Sequence, residues 1–142
     1  MQKIMNKAKT CRKRILIVDD DREFLRELEQ GLCACGYETI AFTDGDSILK
    51  SAGGLRPDAI LLDLRMGDRT GFQVANRLSF YRRTARVPII AMTGFYTGRE
   101  HAILMDICGI RSCLLKPFSI EQAAAEIEAV LEPRTLIHPL RF

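Results

Sequence analysis

Asp58-Ala59-Ile60-Leu61-Leu62-Asp63 is the stretch whose reading decides the fold. Its four consecutive apolar residues suit a strand buried on both faces, and the run stops at a carboxylate. Such a strand presents Asp63 at its carboxyl end, the edge where open parallel α/β sheets collect ligands and chemistry. Three other runs end in the same manner. Ile15-Leu16-Ile17-Val18 leads into Asp19-Asp20-Asp21, Val87-Pro88-Ile89-Ile90-Ala91-Met92 into Thr93, and Ser112-Cys113-Leu114-Leu115 into Lys116. Four strands pointing one way bring carboxylates, a hydroxyl and an ammonium group to a single edge.

Between these runs the helical signals alternate with the strand signals. Phe24, Leu28, Leu32 and Cys35 recur at helical spacing, and Gly36 supplies a left-handed stop. Glu38 to Phe42 reads as a short strand, after which Thr43 or Asp44 caps a helix that Gly53-Gly54 should end. A third helix runs from Gly71 to about Tyr81 with Phe72, Ala75 and Leu78 inward. Arg82, Arg83 and Arg86 then form a basic, solvated connection. From Thr97 to Cys108 apolar residues lie almost all the way round a helix, so it is either sunk deep in the core or exposes a contact patch. Ser119 caps a last helix whose Ile120, Ala124, Ile127 and Leu131 share a face, and Pro133 stops it. Five strands alternating with five helices predict a doubly wound parallel α/β sheet with right-handed crossovers.

The chain has 142 residues, 47% hydrophobic and 27% charged, enough for one domain with a real core and too short for two. Its net charge of +3 is unevenly placed. Residues 1–14 hold six basic residues and no acid, whereas the rest carries fifteen basic against eighteen acidic residues. A basic arm can touch nucleic acid or an anionic membrane, although a solvated tail is the plainer reading. No apolar run reaches the ~20 residues needed to span a bilayer, and no secretory h-region is present, so the expected location is cytoplasmic. The five cysteines show no metal-ligand spacing and read as reduced packing residues. The expected division is a basic arm over 1–11, one domain over 12–132 and a short tail over 133–142.

Several carboxylates in one cleft repel, by about 4 kcal/mol for two charges ~4 Å apart at an effective dielectric near 20. A hard cation offsets this, and an oxygen site of few carboxylates suits Mg²⁺ with part of its water shell retained. A metal-held Asp can attack phosphorus to form an acyl phosphate, and a hydroxyl and an ammonium can take up the charge on the transferred group. Thr93 and Lys116 supply those two groups.

Together these motifs resemble the receiver domain of response regulators, the phosphoacceptor module of two-component signalling. The resemblance is carried by Ile15 to Asp21, Ile60 to Met66, Ile89 to Gly94 and Leu114 to Phe118. It implies a flavodoxin-like sheet of order 2-1-3-4-5 in a single domain. It also implies that Asp63 accepts a phosphoryl group from a histidine kinase or histidine phosphotransfer protein. Asp20, Asp63 and the backbone carbonyl of Arg65 then hold Mg²⁺, with Asp19 acting through water. Asp21 starts a helix, Thr93 hydrogen-bonds the phosphoryl group and Lys116 pairs with it. The implied protein is a switch and not an enzyme in the ordinary sense, catalysing only its own phosphorylation and slow dephosphorylation. Its output would pass to a partner protein or a second copy through the face made by the fourth helix, fifth strand and fifth helix, without direct nucleic-acid binding.

Three positions depart from the family pattern. Cys113 stands at the switch position, where the family has an aromatic ring coupled to the threonine. Gly67 replaces a usual proline and Gly94 a usual alanine, loosening two loops. Arg65 and Phe95, each two residues past a site residue, are expected to screen an acyl phosphate from water. Two other readings stay open at this point: a receiver-like scaffold that signals without phosphate, and a haloacid-dehalogenase-type phosphatase using Asp19 and Asp21. The chain reads either as a stand-alone receiver or as part of a longer regulator.

Overall fold

A computed structural model of the chain describes residues 12–67, 69–94 and 99–132. Cys11, Phe95, Pro133 and the expected arm and tail lie outside them. The elements are β1 (Arg14–Val18), α1 (Arg22–Ala34), β2 (Glu38–Phe42), α2 (Gly45–Leu55), β3 (Ala59–Asp63), α3 (Gly71–Phe80), β4 (Ile89–Thr93), α4 (Arg99–Ile107), β5 (Ile110–Leu115) and α5 (Ile120–Leu131). All sheet pairs are parallel and the order is β2-β1-β3-β4-β5, as the resemblance implies.

Alternation along the central strands divides the core in two. Leu16, Val18, Ile60, Leu62 and Ala91 face α2, α3 and the end of α4, where Ile48, Ala52, Val74, Ala75, Leu78 and Cys108 meet them. Ile15, Ile17, Leu61, Ile90, Met92 and Leu114 face α1 and α5, against Leu25, Leu28, Leu32, Ala123 and Ile127. β3 is buried along its whole length, as a strand covered on both faces must be. Truncating Leu61 or Leu62 to Ala would cost about 2–5 kcal/mol.

Side chains fix the helix starts. Asp21 accepts hydrogen bonds from the Glu23 and Phe24 N–H groups, and Asp44 from that of Ser47. Thr70 with Gln73 and Ser119 with Gln122 form reciprocal capping boxes, each satisfying two helix-end donors.

Several boundaries differ from the sequence reading. The inward stripe of α1 is Leu25, Leu28 and Leu32, while Phe24 is half-buried and Cys35 is exposed as the C-cap. In α3 the inward residues are Val74, Ala75 and Leu78, with Phe72 only half-buried. Helix α2 runs through Gly53-Gly54 to Leu55 and stops at Arg56, which adopts a left-handed φ of 51°. Half-buried Leu55 still packs on the core there, and its carbonyl accepts from the Arg14 guanidinium, so the helix gains by continuing. Asp58 precedes β3; its carboxylate accepts from the Arg14 N–H at 2.8 Å and ties the two strand starts together. Strand β5 starts two residues early, with a register irregularity opposite Ile89 and Ile90. Cys33 and Cys35 are exposed, so the packing reading of the cysteines holds for Cys108 and in part for Cys113. Arg82, Arg83 and Arg86 are exposed, as expected of a solvated connection.

The two readings of α4 separate on exposure. Ile103 is 55% exposed, Ile107 70%, and Leu115 on the adjacent strand 52%. The surplus apolar residues of this helix face outward and do not sink into the core.

Candidate functional site

Parallel strands place the residues that follow β1, β3, β4 and β5 at one edge. The register sets Val18 beside Leu62, Asp63 beside Met92 and Thr93 beside Leu115, so each polar side chain lies at or one step beyond the same level of the sheet. Carboxylate oxygens of Asp19, Asp20 and Asp63 lie within 4.8 Å of one another. Asp19 and Asp63 are buried, and Asp20 is exposed at the rim. Lys116 reaches in from β5 with its Nζ 2.6 Å from Asp19 Oδ2 and 3.9 Å from Asp63 Oδ1. Every sequence-derived site residue that lies at a strand end is therefore brought to this edge.

The backbone fixes the acids. Asp19 N–H donates to the Phe42 carbonyl at 3.1 Å, and Asp19 Oδ1 accepts from the Asp21 N–H at 3.0 Å. Asp63 Oδ1 accepts from the Arg65 N–H at 3.1 Å. The Lys116 N–H donates to the Thr93 carbonyl at 2.7 Å, so buried Thr93 and Lys116 are joined through the main chain. The Lys116 ammonium also lies 4.4 Å from the centre of the Phe24 ring, and that ring meets Phe118 edge-on. These aromatic contacts hold the lysine stem in place; Phe118 belonged to the motif that carried the resemblance, whereas Phe24 gave no signal in the sequence beyond an apolar residue.

Electrostatics bear on what the cleft can hold. Burial pushes the Asp63 carboxyl up to about 6; the Arg65 N–H opposes this, Asp19 raises it further, Lys116 lowers it and Asp20 raises it. One ammonium does not offset three carboxylates. An all-oxygen donor set with one acid at the rim fits a hard divalent cation that keeps some water.

Gly71 is a positioning residue that the sequence did not reveal. A Cβ there would collide with the Asp63 carbonyl oxygen and come within 2.8 Å of Leu64 Cα. Its N–H donates to the Leu64 carbonyl at 3.1 Å, so α3 begins against the backbone that carries Asp63. Arg65 is exposed beside the cleft, and Arg65 and Thr70 form an isolated bridge closing the loop between β3 and α3. Cys113 is half-buried against the core and, with Met105 and Ile110, lines an open groove of about 220 Å³ between α4 and β5. Asp21 is engaged as a helix cap, which removes the acid the phosphatase reading required.

Comparison with known proteins agrees with this geometry. The sequence profile of the response regulator receiver domain matches residues 15–128. The transcriptional regulatory protein PrrA of Mycobacterium tuberculosis is 33% identical over 121 residues, 85% of this chain and 51% of that protein. The DNA-binding dual master transcriptional regulator RpaA of Synechocystis is 34% identical over 118 residues, 83% of this chain and 48% of that protein. The chain thus spans about half the length of these curated relatives. Among solved structures, chemotaxis protein CheY4 of Vibrio cholerae superposes with a TM-score of 0.81 at 27% identity, covering 85% of this chain and all of that one. The receiver domain of sensor histidine kinase PA1611 from Pseudomonas aeruginosa, solved with magnesium coordinated in its active-site cleft, gives 0.77 at 26% identity, covering 85% and 98%. The chain belongs to the response regulator receiver domain family, the signalling domains of two-component systems.

Proposed function

We propose that Asp63 is the phosphoryl acceptor of a Mg²⁺-dependent transfer from a phosphohistidine donor, on a histidine kinase or a histidine phosphotransfer protein. The observation that carries this reading is the placing of Lys116 Nζ within 3.9 Å of Asp63 while Asp19 and Asp20 crowd the same cleft. Asp20, Asp63 and the Arg65 carbonyl would hold the cation, and Asp19 would act through water. When bound, the cation neutralises the acids and draws charge from a phosphoryl oxygen.

The chain's own part is to aim and stabilise. Asp63 Oδ attacks phosphorus, the bond from phosphorus to the donor imidazole nitrogen breaks, and the nitrogen leaves with its electron pair. Lys116 offsets charge on the phosphoryl oxygens, and Thr93 donates a hydrogen bond to one of them. Water later attacks the same phosphorus, returning the Asp63 carboxylate and inorganic phosphate, a step that Arg65 and Phe95 would slow by covering it.

Output would pass through the exposed apolar side chains of α4 and β5, Ile103, Leu104, Ile107 and Leu115, to a partner protein or a second copy. No helix among the described residues is long and apolar enough to cross a membrane, which accords with a cytoplasmic site of action. The test is intact-mass measurement after incubation with a small acyl phosphate. One phosphoryl group should be gained with Mg²⁺, none with EDTA and none in Asp63→Asn. Equal labelling of Asp63→Asn would reject the assignment.

A further inference from the structure

At the edge of the sheet opposite Asp63, a cleft of about 330 Å³ lies between the last turns of α2 and the turn that joins α3 to β4. Leu49, Leu78 and Tyr81 give it an apolar wall, and Lys50, Arg82 and Arg83 line it with three cations and no acid. None of these three cations forms an ion pair among the described residues. Gly54 leaves open space on this part of α2, while the stem of Arg83 lies within 3.6–3.7 Å of where a Cβ of residue 53 would stand and is thereby seated at the cleft.

The arginines stand on a built turn. Buried Thr84 donates its hydroxyl to the Leu78 carbonyl at 2.6 Å, and the Thr84 and Ala85 N–H groups donate to the Tyr81 carbonyl at 3.1 and 2.8 Å. The turn that carries Arg82 and Arg83 is thereby fixed before any ligand arrives, which lowers the ordering cost of binding. It also presents Phe80, 74% exposed, and Tyr81, 47% exposed, between Arg77 and Arg82. Exposed aromatics interleaved with arginines supply base stacking and bidentate phosphate contacts.

The root of the basic arm lies at the same edge. Arg14 opens β1, two strands or roughly 10 Å from β4. Its guanidinium contacts the Leu55 carbonyl at the end of α2, next to the cleft. Arg12 and Lys13, which immediately precede β1, lie at this end of the molecule as well.

We propose that this cleft binds a nucleotide unit, its base against the apolar wall and its phosphate at Lys50, Arg82 and Arg83. The unit could be a free nucleotide or part of a single strand. The receiver resemblance implied no direct nucleic-acid binding, and this proposal departs from that expectation on the strength of the cleft's lining. The concave shape and the arginine-rich lining favour this chemistry over a lipid surface, which needs a flat or convex face.

The experiment uses the full chain with a fluorescein-labelled oligothymidylate about 15 nucleotides long, read by anisotropy over a range of salt. Saturable binding is expected. Arg82→Ala/Arg83→Ala should weaken it about tenfold or more and reduce the salt slope by about 0.7, the value for one lost phosphate contact on a single strand. Tyr81→Ala should weaken it and Tyr81→Phe restore it. All three side chains are exposed, and an unchanged unfolding midpoint confirms that the variants fold. Displacement of the strand by AMP identifies the free nucleotide as a source; failure of AMP to compete identifies the strand. Three results overturn the proposal: no saturable binding of either probe, binding lost only when Lys3, Lys7 and Lys9 are changed to Gln, or binding confined to phosphatidylglycerol vesicles.

Discussion

Lys116 Nζ sits 2.6 Å from Asp19 Oδ2, although the two residues are 97 positions apart in the chain. Asp19 is 1% exposed, so the ammonium is the main compensation for a carboxylate that water does not reach. In this geometry the lysine is closer to Asp19 than to Asp63, the proposed acceptor, and phosphoryl transfer to Asp63 would draw it across a short gap. Lys116→Ala leaves a buried acid without its cation and should lose about 2–4 kcal/mol of stability near neutral pH. Urea unfolding checks this; a loss under 0.5 kcal/mol, roughly the worth of an exposed pair, would contradict it.

The raised Asp63 carboxyl makes stability depend on pH. Its folded value of about 6 lies above the ordinary 3.8, mainly because it is buried. On raising the pH, the unfolded chain gives up this proton first, so stability is greatest below about pH 4 for this group and falls up to about pH 6. Near pH 7 the penalty is about 3 kcal/mol. Asp63→Asn in EDTA should therefore be more stable than the parent by about 1–3 kcal/mol at pH 7, with the advantage gone near pH 3. Chemical unfolding at the two pH values reads the difference directly.

Removal of divalent cation should lower the stability of the parent. Mg²⁺ at about 100 times its dissociation constant adds about 2.7 kcal/mol to a protein that binds it only when folded. The unfolding midpoint should rise with Mg²⁺, fall with EDTA and respond far less in Asp63→Asn. Equal shifts in both proteins would place the cation elsewhere.

Gly71 and Gly54 should respond in opposite directions to alanine. A Cβ at Gly71 strikes the backbone of Asp63 and Leu64, so Gly71→Ala should cost about 1–3 kcal/mol and slow labelling of Asp63. Gly54 lies inside α2 with open space around it, and Gly54→Ala should gain about 0.5–1 kcal/mol. Thermal unfolding of the two variants separates close approach from simple helix propensity.

Arg65 offers a kinetic test. Its side chain is exposed beside the cleft, and cover over the acyl phosphate should lengthen its life. After removal of the donor, Arg65→Ala and Phe95→Ala should lose the phosphoryl group faster than the parent. A half-life unchanged or longer would dismiss the screening role.

Strand β2 was legible to the residue and β1 to within one, because short segments rich in branched residues and bounded by turn or polar residues leave one strand reading. The order of those strands came from the family resemblance and not from periodicity. Where sequence reasoning missed, tertiary packing was decisive. Gly53-Gly54 looked like a stop, yet Leu55 and the Arg14 guanidinium hold the helix for another residue. The apolar circumference of α4 could not say whether Ile103 and Ile107 were covered; only the fold leaves them exposed. The role of Gly71 depends on a backbone crossing that no local pattern encodes. The acids, Thr93 and Lys116 were legible because their chemistry is tied to strand ends, while the preference of Lys116 for Asp19 is a matter of distance alone.

The most direct test of the central claim is to locate the phosphoryl group. Chain labelled with an acyl phosphate and Mg²⁺ is reduced with borohydride, which converts a phosphorylated aspartate to homoserine, then digested and mapped. The change should fall on Asp63 and on no other acid. A label on Asp19, Asp20 or a residue outside the cleft, or no label with Mg²⁺ present, would contradict the account.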